Sequence, residues 1–142
     1  MEQAFSDRMK EKMKTPPVAV LVGIRSLSFG GGEAVLEMKA DKRHHNPMGT
    51  VHGGILCDLA DLAMGYAFAT TLGPGESFTT LELKVNFLRP VFDEKLTAKA
   101  KVTHRGRTVG MVEFDVTNEA GKTVARGSST CTVLSGEAAK GR

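Results

Sequence analysis

The sequence predicts an α+β fold in which a single buried helix is wrapped by a long curved antiparallel sheet. Two patterns carry this expectation. One segment, residues 54–72, is apolar nearly all round a helical wheel, which is the pattern of a buried helix and not of a surface one. Around it lie segments with strand character, two before and four after, and no second long helix separates them, so they join as antiparallel neighbours.

The elements follow in order. Residues 2–14 place Phe5, Met9 and Met13 at i, i+4 and i+8, a short amphipathic helix that Thr15-Pro16-Pro17 ends. Residues 18–29 are rich in β-branched and aromatic side chains and read as a strand. Gly30-Gly31-Gly32 turns the chain into a second strand over 34–40, making a hairpin. Residues 41–54 are a loop. The helix over 54–72 carries Ile55, Leu59, Leu62 and Tyr66 on one face and Cys57, Met64 and Phe68 on the other, and Gly73-Pro74-Gly75 stops it. Residues 79–87 alternate, with Leu81, Leu83, Val85 and Phe87 on one face and Thr80, Glu82, Lys84 and Asn86 on the other. That second face is polar, so a dimer contact made there is partly polar. Three further strands are expected over 95–103, 108–117 and 122–134, the last two joined by the turn N-E-A-G-K. The organisation is an N-terminal helix and linker over 1–17, one domain over 18–135 and a disordered tail over 136–142.

Bulk properties limit the function classes. A chain of 142 residues with 41% hydrophobic and 25% charged residues is one globular domain, of a size that often gains stability by oligomerising. The net charge of +3 suits an anionic small molecule at least as well as nucleic acid, since no dense Lys/Arg block with interleaved aromatics occurs. The two cysteines, Cys57 and Cys131, are far apart and form no C-x-x-C pair, so they read as buried free thiols. His44-His45 have no suitably spaced partner ligands, and no metal is expected. The N-terminus lacks the apolar core of a signal peptide, and the apolar run from Ile55 to Leu72 is interrupted by Asp58 and Asp61. A cytoplasmic protein is expected.

The stretch from Asn46 to Met64, N-P-M-G-T-V-H-G-G-I-L-C-D-L-A-D-L-A-M, holds the chemistry. The spacing Asn46-x-x-Gly49-x-x-His52-Gly53-Gly54, Asp61 on the following helix, Thr80 at the start of the next strand and F-L-R-P over 87–90 resembles the hotdog-fold thioesterases, in particular their PaaI-like acyl-CoA thioesterase branch. The resemblance runs from about Val18 to Leu134. It implies a helix enclosed by the sheet and a functional unit of at least a dimer, often a homotetramer. It places active sites at the dimer interface, where the helix-start loop of one chain faces Asp61 and Thr80 of the other. It implies a CoA thioester as substrate and no cofactor. The acyl group is aryl or aryl-acetyl, with medium-chain fatty acyl as the rival.

The residues have physical roles consistent with this. N–H groups at a helix start are unpaired and carry partial positive charge, and Gly53 and Gly54 let a carbonyl approach them closely. The Gly53 N–H is therefore the expected oxyanion donor. An aspartate in an apolar helix needs a partner or a function, and the resemblance makes Asp61 the nucleophile or the general base. Asp58, one turn earlier, reads as a helix-start stabiliser or a subunit contact. The resemblance makes His52 an orienting residue for the thioester or the loop, and Asn46 a donor to the thioester or a holder of water. Thr80 would hold the attacking water or orient Asp61. Arg89, Arg105 and Arg107 are the basic candidates for the CoA phosphates. The competing reading from another class is a hotdog module that binds acyl-CoA without turnover. A hotdog hydratase would need an Asp/His or His/Glu arrangement that is not found here, and nucleic-acid binding is a distant fourth.

Overall fold

The computed structural model describes Glu11, Met13 and residues 16–142. Glu11 and Met13 are helical; the rest of the helix expected over 2–14 lies outside the described residues. Helix α1, Pro17–Val22, leads into strand β1, Ile24–Gly30, and β2, Glu33–Lys39. A 3₁₀ turn at Lys42–His44 precedes the long helix α2, Gly53–Ala69. Strands β3, Glu76–Phe87, β4, Lys95–Arg105, β5, Val109–Thr117, and β6, Thr123–Ser135, complete the domain, followed by an exposed 3₁₀ turn at Gly136–Ala139 where a disordered tail was expected. The six strands form one antiparallel sheet in the order β1-β2-β4-β5-β6-β3. The single helix in a curved antiparallel sheet is the architecture expected from the sequence.

Helix α2 packs chiefly against β2, β4 and β5 and is touched by β1, β3 and β6 as well. This explains its composition: with sheet around it, both sides of the wheel need apolar residues. Leu59, Ala63, Met64, Ala67 and Phe68 are all buried, facing Leu36, Met38, Leu96, Val112 and Val116 from the strands. Gly110 of β5 sits directly beneath Phe68, where a Cβ would lie 2.0 Å from the ring. A larger residue there would displace the centre of the core.

Three expectations are corrected. The strand expected over 18–29 begins only at Ile24, because residues 17–22 are helical. Pro17 starts that helix with its fixed φ, and Gly23 ends it in the left-handed region at φ 90°, returning its N–H to Ala19 O. These end signals override the strand preference of the valines. The second correction concerns the end of α2, at Ala69 and not at residue 72. Thr70 and Thr71 donate their hydroxyls back to Ala67 O and Phe68 O, satisfying terminal carbonyls.

The third correction decides the site. The alternation over 79–87 does not hold through the strand. The register against β6 slips between Thr80, opposite Cys131, and Glu82, opposite Thr130, leaving Leu81 as an extra, exposed residue. A bulge of one residue shifts the phase of alternation. Thr80 is thereby on the helix-facing side, away from the face that carries Glu82, Lys84 and Asn86.

Candidate active site

The segment before α2 is built by hydrogen bonds to Asn46. Its side-chain carbonyl accepts from the N–H groups of Met48, at 2.9 Å, and Thr50, at 3.2 Å, while its amide donates to Thr50 Oγ1 at 2.8 Å. Gly49 closes the turn with φ 87° and donates to Asn46 O. His44 is buried beneath this loop, its Nε2 donating to Val22 O and its Nδ1 accepting from Asp41 N. His45 bridges to Asp93. Among the described residues no group of three or more His, Cys, Asp and Glu is placed to hold a metal ion.

His52 is the N-cap of α2. Its Nδ1 accepts the Gly54 N–H at 2.8 Å, which fixes the neutral ring with its proton on Nε2. The Gly54 N–H is thus occupied by His52. The Ile55 N–H bonds back to His52 O. The Gly53 N–H has no acceptor among the described residues and remains the open donor of this helix start. Gly53 also lies under Phe87, where a Cβ would come within 2.9 Å of the ring. Asn46, Gly53, Phe87 and Arg89 share a cleft of about 470 Å³.

Asp61 lies two turns further along α2. Thr80 donates to its Oδ1 at 3.3 Å. No buried side-chain polar atom among the described residues lacks a partner, and Oδ2 has none, so Oδ2 opens to the adjoining space. Burial pushes the Asp61 pKa up; the Thr80 hydrogen bond opposes this and the charge of Asp58 adds to it. Asp58 itself is exposed. Cys131 is buried beside Thr80, and burial raises its thiol pKa. Asp61 and Thr80 line a cavity of about 360 Å³, walled also by Leu62, Gly65, Tyr66 and Phe78.

The sequence-predicted residues therefore fall into two groups on one chain. Asn46, His52, Gly53 and Gly54 stand at the helix start; Asp61 and Thr80 stand at mid-helix. Eight residues separate Gly53 from Asp61, about 12 Å along the axis. The arginines are also divided. Arg89 borders the Gly53 cleft and donates to Thr123 O at 2.7 Å. Arg105 is at the other end of the helix, bonded to Thr71 and Glu76 and stacked over Phe68, with its guanidinium fully engaged in the fold. Arg107 is exposed on the β4–β5 turn. Sequence reasoning missed Gly65, Tyr66 and Phe78, the walls beside Asp61. A signal was present for the first: a glycine inside a helix, four residues after the carboxylate.

Known proteins resemble the chain in both sequence and fold. The model of the thioesterase superfamily matches residues 48–125. The acyl-coenzyme A thioesterase PaaI of Escherichia coli K12 is 36% identical over 114 residues, covering 78% of this chain and 79% of its own. The solved structure of the E. coli PaaI protein from the phenylacetic acid degradation operon superposes with a TM-score of 0.84 at 28% identity, covering 95% of this chain and 96% of that one. A hypothetical thioesterase from Streptococcus pneumoniae, solved with coenzyme A, gives a TM-score of 0.73 at 28% identity, covering 79% of this chain and 86% of that one. The chain belongs to the thioesterase superfamily, in its hotdog-fold, PaaI-like branch, and is a thioester hydrolase.

Proposed function

We propose that the protein hydrolyses acyl-CoA thioesters to the free acid and coenzyme A, in sites completed between two copies of the chain. The observation that carries this is Asp61: a half-buried carboxylate with a raised pKa, oriented by Thr80 and facing an apolar cavity. As a general base, Asp61 takes a proton from water as the water oxygen attacks the carbonyl. The C–S bond then breaks and the CoA thiolate leaves, to be protonated. As a nucleophile, Asp61 itself attacks the carbonyl carbon, the C–S bond breaks with the CoA thiolate leaving to be protonated, and water hydrolyses the resulting mixed anhydride to the free acid and the Asp61 carboxylate. In both routes negative charge develops on the carbonyl oxygen, and the Gly53 N–H at the positive end of α2 stabilises it. His52, Asn46 and Thr80 orient the thioester, the loop and the carboxylate.

The donor and the carboxylate have to meet one carbonyl, with each about 3 Å from a reacting atom. Their spacing of about 12 Å along α2 prevents this within one chain. Two copies packed with their helices antiparallel bring Gly53 of one to Asp61 of the other. Strand β3 supports such pairing: it is the long edge strand of the sheet, and Leu81, Phe87 and Leu88 are exposed on or beside it. CoA phosphates are assigned to Arg89 and Arg107, whose guanidinium groups are exposed, and Arg105 is assigned to the fold.

Thiol release from aryl-, aryl-acetyl- and straight-chain acyl-CoAs tests the reading, with Asp61→Asn alongside. The variant is expected to lose about 10²-fold or more in kcat while remaining folded. A wild-type protein inert on every thioester sinks the proposal. Single turnover in ¹⁸O-labelled water separates the two roles: label recovered in the Asp61 carboxylate identifies the nucleophile.

A further inference from the structure

Glycine inside a helix calls for a physical reason, because it is less stable there than alanine. Gly53, at the start of α2, has one in Phe87, 2.9 Å from a Cβ; the strand glycines Gly110 and Gly127 would have a Cβ 2.0 Å from Phe68 and 1.9 Å from Lys84 O. Among the described residues Gly65 has no such constraint. It sits in the interior of α2, it is not among the positive-φ glycines, and of the described atoms a Cβ there would meet only Phe78 Cζ at 3.7 Å, an ordinary contact. Alanine would fit. The missing side chain does one visible thing, which is to leave space in the cavity of about 360 Å³ beside Asp61.

The placement of that space is informative. Asp61, Gly65 and Ala69 follow one another at i, i+4 and i+8 on one face of the helix, and all three line the cavity. Beyond Asp61 the walls among the described residues are Leu62, Tyr66 and Phe78 with Met13, Pro16 and Val18, none of them charged. The Tyr66 hydroxyl is engaged, donating to Met13 O. The polar groups, Asp58, Asp61 and Thr80, lie at the carboxylate end.

We propose that Gly65 sets the acyl length, and that the acyl tail of a thioester held at Asp61 runs along α2 over Gly65 to Ala69. This rests on the thioesterase reading of Asp61. The substrate class is then an uncharged, unbranched acyl group of medium length. From Asp61 to Ala69 is about 12 Å along the helix, the reach of about eight to ten carbons in an extended chain. Among the described residues no cation lines the cavity to pair with an acyl group that ends in a carboxylate.

The experiment measures kcat/KM for straight-chain acyl-CoAs of about two to fourteen carbons and for phenylacetyl-CoA, with the full chain and with Gly65→Ala and Gly65→Leu. Wild type is expected to peak at medium length. Gly65→Leu is expected to lose about 100-fold on chains that pass residue 65 and less than about 3-fold on the shortest, with Gly65→Ala peaking at an intermediate length. Loss by one factor at all lengths, or an unchanged profile, overturns the proposal. So does a changed oligomeric state of Gly65→Ala on gel filtration, which would assign the glycine to packing against a second copy. A wild-type preference for phenylacetyl over every straight chain overturns the linear class. A wild type that hydrolyses no thioester is a different failure: it removes the reading of Asp61 itself, and the length assignment falls with it.

Discussion

The start of α2 and its middle are built on opposite principles. At the start the groups are fixed by neighbours. His52 caps Gly54, Asn46 holds the loop, and Phe87 covers Gly53. The middle is polar inside an apolar helix: among the described residues, a carboxylate with one hydrogen bond, a glycine with one ordinary contact, to Phe78, and an open cavity. The contrast fits the two tasks proposed for them. A donor to a developing oxyanion works by being rigid before the reaction begins. A catalytic carboxylate works by being held at a protonation balance that the fold itself disfavours.

The strongest test of this division separates the two ends onto different chains. Gly53→Val and Asp61→Asn are each expected to lose about 10²–10³-fold in activity. Dissociated, mixed and reassociated, the two variants are expected to regain activity, because a mixed dimer carries one site with both wild-type groups. No regain in thiol release would place both groups in a site within a single chain.

Asp61→Asn also sharpens the contrast in stability. The Asp61 pKa in the folded protein lies above its ordinary value of 3.8. Between the unfolded and folded values the native state binds more protons, so this group's contribution to stability falls as pH rises through that window and stays lower above it. The variant is therefore expected to melt at a higher temperature than wild type at neutral pH, while Gly53→Val, forced against Phe87, melts lower. Thermal unfolding of both checks the opposite signs.

Smaller effects act on the same carboxylate. Thr80→Val removes the hydrogen bond that lowers the Asp61 pKa, and is expected to reduce kcat about tenfold and move the acidic limb of the pH–rate profile upward. Asp58→Asn removes a like charge and is expected to move that limb downward, by less. The arginines extend the comparison to ligand and fold. Arg89→Ala is expected to raise KM for CoA thioesters several-fold with little change in melting. Arg105→Met, which loses the contacts to Glu76 and Thr71, is expected to cost about 2 kcal/mol of stability with KM unchanged. Steady-state kinetics beside denaturant unfolding separates the two.

Much of this was legible in the residues. The apolar circumference of the helix announced enclosure by the sheet, and the glycines after His52 announced an open helix start. The strand at 18–22 was misread because local capping by Pro17 and Gly23 outweighed the β preference of valine. The orientation of Thr80 was hidden because a bulge at Leu81 leaves no mark on an alternating pattern that looks continuous.

The sequence by itself determined the long helix and the strand count, and it set a glycine-rich helix start and a carboxylate two turns along the same helix. Each depends on local periodicity or on the intrinsic properties of a residue. Only the tertiary structure decided that Thr80 faces Asp61, that Arg105 serves the fold, and that Gly65 borders empty space. Those facts depend on which distant segments meet, and register, burial and cavity shape are properties of the packed chain and not of any one stretch of it.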